Sequence, residues 1–142
     1  MPEITETFST YLARIEKVLD QMDKPIVLST DVNIPPLWDG KDKKIKKIPI
    51  AWPLYEHSMF YLVTVPGNNT IPKHKHGENI FRFVVKGSLV INDDIKVTEG
   101  MWFVIKANTL YKIDTETGYT TFSGYGPYCY SHRPGGKHWV DE

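Results

Sequence analysis

From residue 80 onward, turn-forming residues cut the chain into short β-branched and aromatic runs, about eight to twelve residues apart, with no helical periodicity between them. Residues 80–85 lead to Gly87. Residues 88–91 are joined to 95–98 by Asn92-Asp93-Asp94, and Gly100 opens 101–105. Ala107-Asn108 then turns the chain into 110–114, and 115–118 lead into 119–123. Many short strands with frequent turns call for an antiparallel sandwich or barrel. Upstream, residues 47–52 and 56–65 read as further strands, and 25–30 as a short apolar one.

One run constrains the fold more than its length suggests. In 80–85 the even positions are Ile80, Arg82 and Val84, and the odd ones are Phe81, Phe83 and Val85. Alternate residues of a strand face opposite sides, so both faces are apolar apart from Arg82. The odd face must then be covered by a helix, another sheet or a second subunit, and a homodimer is expected. On the even face Arg82 needs a partner, because an unmatched buried charge costs several kcal/mol. That partner can be Glu78, another carboxylate, or the carboxylate or phosphate of a ligand.

Residues 3–24 form the one long helical segment, with Ile4, Phe8, Leu12, Ile15, Leu19 and Met22 at helical spacing and Pro25 ending it. Residues 25–47 follow as a strand and a lysine-rich loop, 48–125 as the barrel, and 126–142 as a tail, all within one domain. Seventeen basic and seventeen acidic residues balance, leaving no excess positive charge for nucleic acid or an anionic membrane. The absence of a membrane-length apolar run or a secretion signal, with Cys129 the lone cysteine, points to a cytoplasmic protein without disulfides.

Within residues 67–87, His74 and His76 stand at i, i+2. In extended chain that spacing aims both imidazoles to one side, which is half of a typical metal site. Solvated histidines in a Lys73-His74-Lys75-His76 loop are the alternative. The stretch resembles the first motif of the cupins, small β-barrels that often hold a metal in the barrel mouth. Gly67, His74-Lys75-His76 and Gly87 match it, with one extra residue before the first histidine. Gly100 and the corner Lys106-Ala107-Asn108 match the second motif.

The resemblance implies an all-β, cupin-type antiparallel barrel or jelly roll, here with one N-terminal amphipathic helix. It also implies a divalent ion, Fe, Zn, Mn or Ni, on His74 and His76. Two of the family's ligands are replaced: counting from Gly87, Ile80 stands at the Glu position, and counting from Gly100, Tyr111 stands at the last His. His57, His132 or His138 would have to complete the shell. Two functions stay open, beside a structural dimer whose barrel is filled by side chains. One is a metal-dependent enzyme of oxygenase, isomerase or lyase type acting on a small organic acid, with Arg82 and Tyr111 binding the acid. The other is a metal-free binding or sensor protein for a small anionic or aromatic molecule. The sequence has no phosphate loop, dinucleotide fingerprint or nucleophile elbow, so no nucleotide cofactor is expected.

Overall fold

The run that reads as two strands divided at Gly87 is a single strand of 12 residues, Ile80–Ile91. In this computed structural model the described residues are 10, 13, 17, 22–32, 37–38, 46–48, 50, 52, 54 and 57–126. The chain separates into two units, residues 1–23 with 29–53, and residues 24–28 with 54–142. In the first, β2 (Leu37–Trp38) pairs antiparallel with β3 (Lys46–Lys47), and Ser29–Asp31 make a 3-10 turn. Most of the helix expected over 3–24 lies outside the described residues; Thr10, Ala13 and Lys17 are helical and exposed. The strand expected over 47–52 is not formed at Ile48, Ile50 or Trp52.

The second unit is built of antiparallel strands: β1 (Ile26–Leu28), β4 (Met59–Val65), β5 (Asn69–His74), β6 (Ile80–Ile91), β7 (Ile95–Thr98), β8 (Trp102–Ile105), β9 (Tyr111–Thr115) and β10 (Tyr119–Tyr125). β6 belongs to two sheets. Its first half lies between β8 and β10 in the order β1-β8-β6-β10-β4, and its second half pairs with β7 and β9, with β5 beyond β9. The β6–β7 turn is tight because Asn92 and Asp93 both take positive φ, 51° and 69°, as a primed hairpin turn requires. The Asp94 N–H donates to the Ile91 carbonyl.

A bulge lets one strand serve both sheets. Thr120 pairs with Lys86 and Thr121 with Val84, so Val85 is the extra residue on β6. Before the bulge Ile80, Arg82 and Val84 point inward; after it Leu89 and Ile91 do. Without the extra residue the inward set beyond Val84 would begin with Lys86, which is exposed. Val84, Leu89, Ile91, Val97, Phe103, Ile105 and Ile113 form the core between the two sheets.

The outward face of β4, β10 and β6 is apolar, as the alternation of 80–85 requires. Phe81 is covered by Trp102 and His57, with ring centroids 5.9 and 6.4 Å away. Phe60, Leu62, Val85 and Phe122 stay exposed, Leu62 at 71%, and Phe60 stacks on Phe122 at 5.2 Å. This is the surface that a second copy would cover in the homodimer expected from the sequence.

Gly87 is required by space as well as by conformation. Its φ is +83°, and a Cβ there would run into the Gly118 carbonyl oxygen and lie 2.8 Å from the Tyr119 Cα. Gly100 has a similar φ, +88°, but open space around it. Gly87→Ala is therefore expected to cost more than about 2 kcal/mol in urea unfolding, and Gly100→Ala only about 1 kcal/mol. Equal costs would show that backbone crowding at Gly87 is unimportant.

Candidate functional site

A second bulge sets the direction of the first histidine. Ile71 pairs with Ile113 and His74 with Tyr111, so β5 spends three steps where β9 spends two. Ile71 packs on the core, and strict alternation from it would turn Lys73 inward and His74 out. The extra residue at Pro72-Lys73 reverses this, and His74 is buried at 3% exposure. The carbonyl of Pro72 lies 2.7 Å from His74 Nδ1, which fixes the ring and leaves Nε2 as its other polar atom.

His76 follows β5 in a loop held by the second motif. Its carbonyl accepts the Asn108 N–H at 2.7 Å, and Asn79 Oδ1 accepts the Ala107 N–H at 3.0 Å. Asn108 takes φ +62° where the family pattern has glycine, a conformation that asparagine tolerates. The two stretches thus meet through one backbone–backbone hydrogen bond and one from backbone to the Asn79 side chain. The imidazoles of His74 and His76 end 5.0 Å apart between centroids, edge to face, and the Tyr111 ring lies 4.5 and 6.1 Å from them.

Arg82 is the charged member of this cluster, 7% exposed and pointing inward from β6. One guanidinium nitrogen, Nη2, donates to the Tyr111 hydroxyl at 3.2 Å and to the Tyr125 hydroxyl at 3.1 Å. Both rings also stand within 6 Å of the guanidinium carbon, at 5.8 and 5.9 Å. No carboxylate among the described residues pairs with it, and its buried Nε–H has no acceptor there. Glu78, a candidate partner, instead packs its carboxylate against Gly126. Burial alone would lower the guanidinium's pKa, but the hydroxyls of Tyr111, Tyr125 and Tyr119 outweigh it and raise the value. Arg82 therefore carries its charge at every accessible pH.

Ile80 and Tyr111, the residues that the motif count singled out, are both buried. Ile80 is fully buried beside Tyr125, and Tyr111 faces His74 across the β5–β9 pair. His57 is elsewhere: its Nε2 lies 3.2 Å from the Asn79 carbonyl, and its ring sits by Phe60 and Phe81, on the side of β6 opposite Arg82. It cannot complete a site with His74 and His76. His132 and His138 lie outside the described residues.

Sequence reasoning missed the neighbouring strand, β10. Tyr119, Thr121, Ser123 and Tyr125 alternate along the inner side of β10, all buried, with Ser123 directly across from Arg82 in the β6–β10 register. The signal was present as a hydroxyl at every second residue, set against Phe122 and Gly124 between them. A hydroxyl row on an inward face is unusual in a core otherwise made of Val, Ile and Phe.

Among the described residues, the donors beside His74 and His76 do not make up the shell of the divalent metal that the cupin resemblance implies. Among the described residues no three His, Cys, Asp or Glu side chains converge, and the Tyr111 ring packs beside both His74 and His76. Burial pushes the Tyr111 phenol up to about 12, against the pull of Arg82, so its oxygen is neutral and already accepts from a cation. A divalent ion beside it would face a fixed positive charge with the usual carboxylate replaced by Ile80.

No family model matches the sequence, and no curated protein matches it. Two solved structures from Ralstonia eutropha JMP134 are similar in part. An RmlC-like cupin protein has a TM-score of 0.46 and 20% identity over 50% of this chain and 48% of that one. A protein of unknown function with a cupin-like fold has a TM-score of 0.48 and 13% identity over 61% of this chain and 57% of that one. The matched region spans about half the length of those chains.

The raised Tyr111 value has a consequence for stability. Its ordinary value is 10.0, and the folded protein holds the proton up to about 12. The contribution is complete below pH 10 and is lost as pH rises through 12, where the folded phenol ionises too. Unfolding free energy should therefore fall between pH 10 and 12, and Tyr111→Phe should flatten that fall by on the order of 2 kcal/mol. Parallel curves for the two proteins would contradict the burial of a neutral phenol beside Arg82. Two sets of antiparallel strands sharing β6, with Gly87 and Gly100 both at positive φ and a corner at Asn108 bonded to His76, make this a small antiparallel β protein.

Proposed function

We propose that the protein binds a small organic acid inside the barrel, without a resident metal, as a binding or sensor protein. The observation that carries this reading is the buried Arg82 guanidinium held by tyrosine hydroxyls, with no carboxylate among the described residues and an Nε–H without an acceptor. Isolated buried charge is costly, and protein cores normally match it with an opposite charge or fill all its hydrogen bonds. A ligand carboxylate supplies both what the guanidinium lacks: a negative charge and acceptor oxygens.

The neighbouring groups suit an anion as well. Tyr111, with its phenol neutral to about 12, retains an O–H to donate after accepting from Arg82. Tyr111, Tyr125, His74 and His76 set flat rings around the guanidinium, the surfaces that an aromatic or short aliphatic acid would meet beside Arg82. In this reading the retained His-x-His pair shapes the pocket.

Thermal unfolding of the untagged protein with acetate, propionate and benzoate tests the proposal, alongside element analysis. At a hundredfold excess over Kd a ligand adds about 2.7 kcal/mol to the native state, a rise of several degrees in Tm. At least one acid should give a saturable rise, which Arg82→Met abolishes. About one equivalent of Fe, Zn, Mn or Ni, lost in a His74→Ala, His76→Ala variant, would overturn the metal-free reading. No rise with any acid and no metal would leave the cluster as a filled core.

A further inference from the structure

Counting hydrogens around Arg82 shows more donors than one carboxylate group uses in this geometry. Both contacts of Nη2 go to tyrosine oxygens, so the guanidinium cannot present its usual two-nitrogen fork through that nitrogen. What it offers an incoming carboxylate from its buried part is Nε–H, next to the O–H of Tyr111, which has no acceptor among the described residues. Those two donors take the two carboxylate oxygens.

A third donor lies on β10. Thr121 Oγ1 and Ser123 Oγ are 2.9 Å apart, both fully buried, and neither has another hydrogen-bond partner among the described residues. Two hydroxyls bring two hydrogens, and only one can lie between the two oxygens. The other is left to donate, from a position directly across the strand pair from Arg82. A buried hydroxyl hydrogen without an acceptor costs about 1–3 kcal/mol, so two such residues side by side on an inward face need a reason.

We infer that the Thr121–Ser123 hydroxyl pair is a specificity element that selects acids bearing an oxygen next to the carboxylate, a 2-oxo or 2-hydroxy acid. This rests on the proposed binding of organic acids at Arg82. The carboxylate lies on Arg82 Nε–H and the Tyr111 O–H, and the adjacent oxygen accepts the spare hydroxyl hydrogen of the pair. Arg82 supplies the only charge needed, so the ligand is a monoanion. An acid without the second oxygen still meets Arg82 but leaves that hydrogen unsatisfied, and sites built around a hydrogen bond reject such analogues strongly.

Calorimetric titration with propionate, pyruvate and lactate separates the possibilities. In the wild-type protein pyruvate or lactate should bind at least tenfold more tightly than propionate. In Thr121→Val combined with Ser123→Ala, which keeps the volume nearly constant, that preference should shrink to about twofold or less while propionate affinity stays the same. Unchanged propionate binding also shows that the variant is folded; if the double variant does not fold, the wild-type ratio decides alone. Equal binding of all three acids by the wild type would overturn the selection while leaving the Arg82 site standing. Binding of none would overturn the proposed function and this inference with it.

Discussion

A guanidinium buried among hydroxyl groups organises the interior of this barrel. Coulomb attraction is strong in a low-dielectric core, and the cost of removing a charge from water is larger still. Arg82 is nevertheless placed there, facing Tyr111 and Tyr125 with no acid among the described residues. Phenol oxygens offset part of the desolvation through charge–dipole contacts. Burial, by penalising the phenolate, raises the Tyr111 value, and the Arg82 charge pulls it partly back. Among the described residues no carboxylate balances this charge. In the proposed reading, that deficit is what the carboxylate of a ligand fills.

The deficit has a location because two bulges put the right residues inside. The extra residue at Val85 lets β6 leave one sheet and join another without dragging Lys86 into the core. The extra residue at Pro72-Lys73 turns His74 toward Tyr111 in a strand whose alternation would otherwise expose it. Proline suits such a place because it has no N–H to contribute to the ladder. Both devices lie in strands that border the site, so local departures from regular pairing set the direction of its side chains.

Much of this was legible in the chain itself, and the unread parts have physical causes. Counting from Gly87 and Gly100 singled out Ile80 and Tyr111, and both are buried; the two glycines hold positive-φ conformations that few residues replace. The inward turn of Arg82 followed from period-two alternation over 80–85. The same alternation failed at Gly87, where a positive φ reads as the end of a strand; here the strand passes through it beside a bulge. The hydroxyl row of β10 escaped notice because Thr and Ser look like ordinary solvent-facing residues until Phe122 and Gly124 are seen to take the outer side. The helix over 3–24 and the tail histidines cannot be compared in the same way, since nearly all of those residues lie outside the described part.

The sequence contains three arginines, Arg14, Arg82 and Arg133, so the Nε–H proton of Arg82 can be followed individually by nuclear magnetic resonance, with Arg82→Lys giving the assignment. Titration with pyruvate is the most direct measurement of whether that group receives an anion. The account predicts a saturable downfield shift and slowed exchange of this one Nε–H, the other two being unaffected. An Nε–H resonance that stays in place at saturating acid, or moves together with those of Arg14 and Arg133, would contradict it.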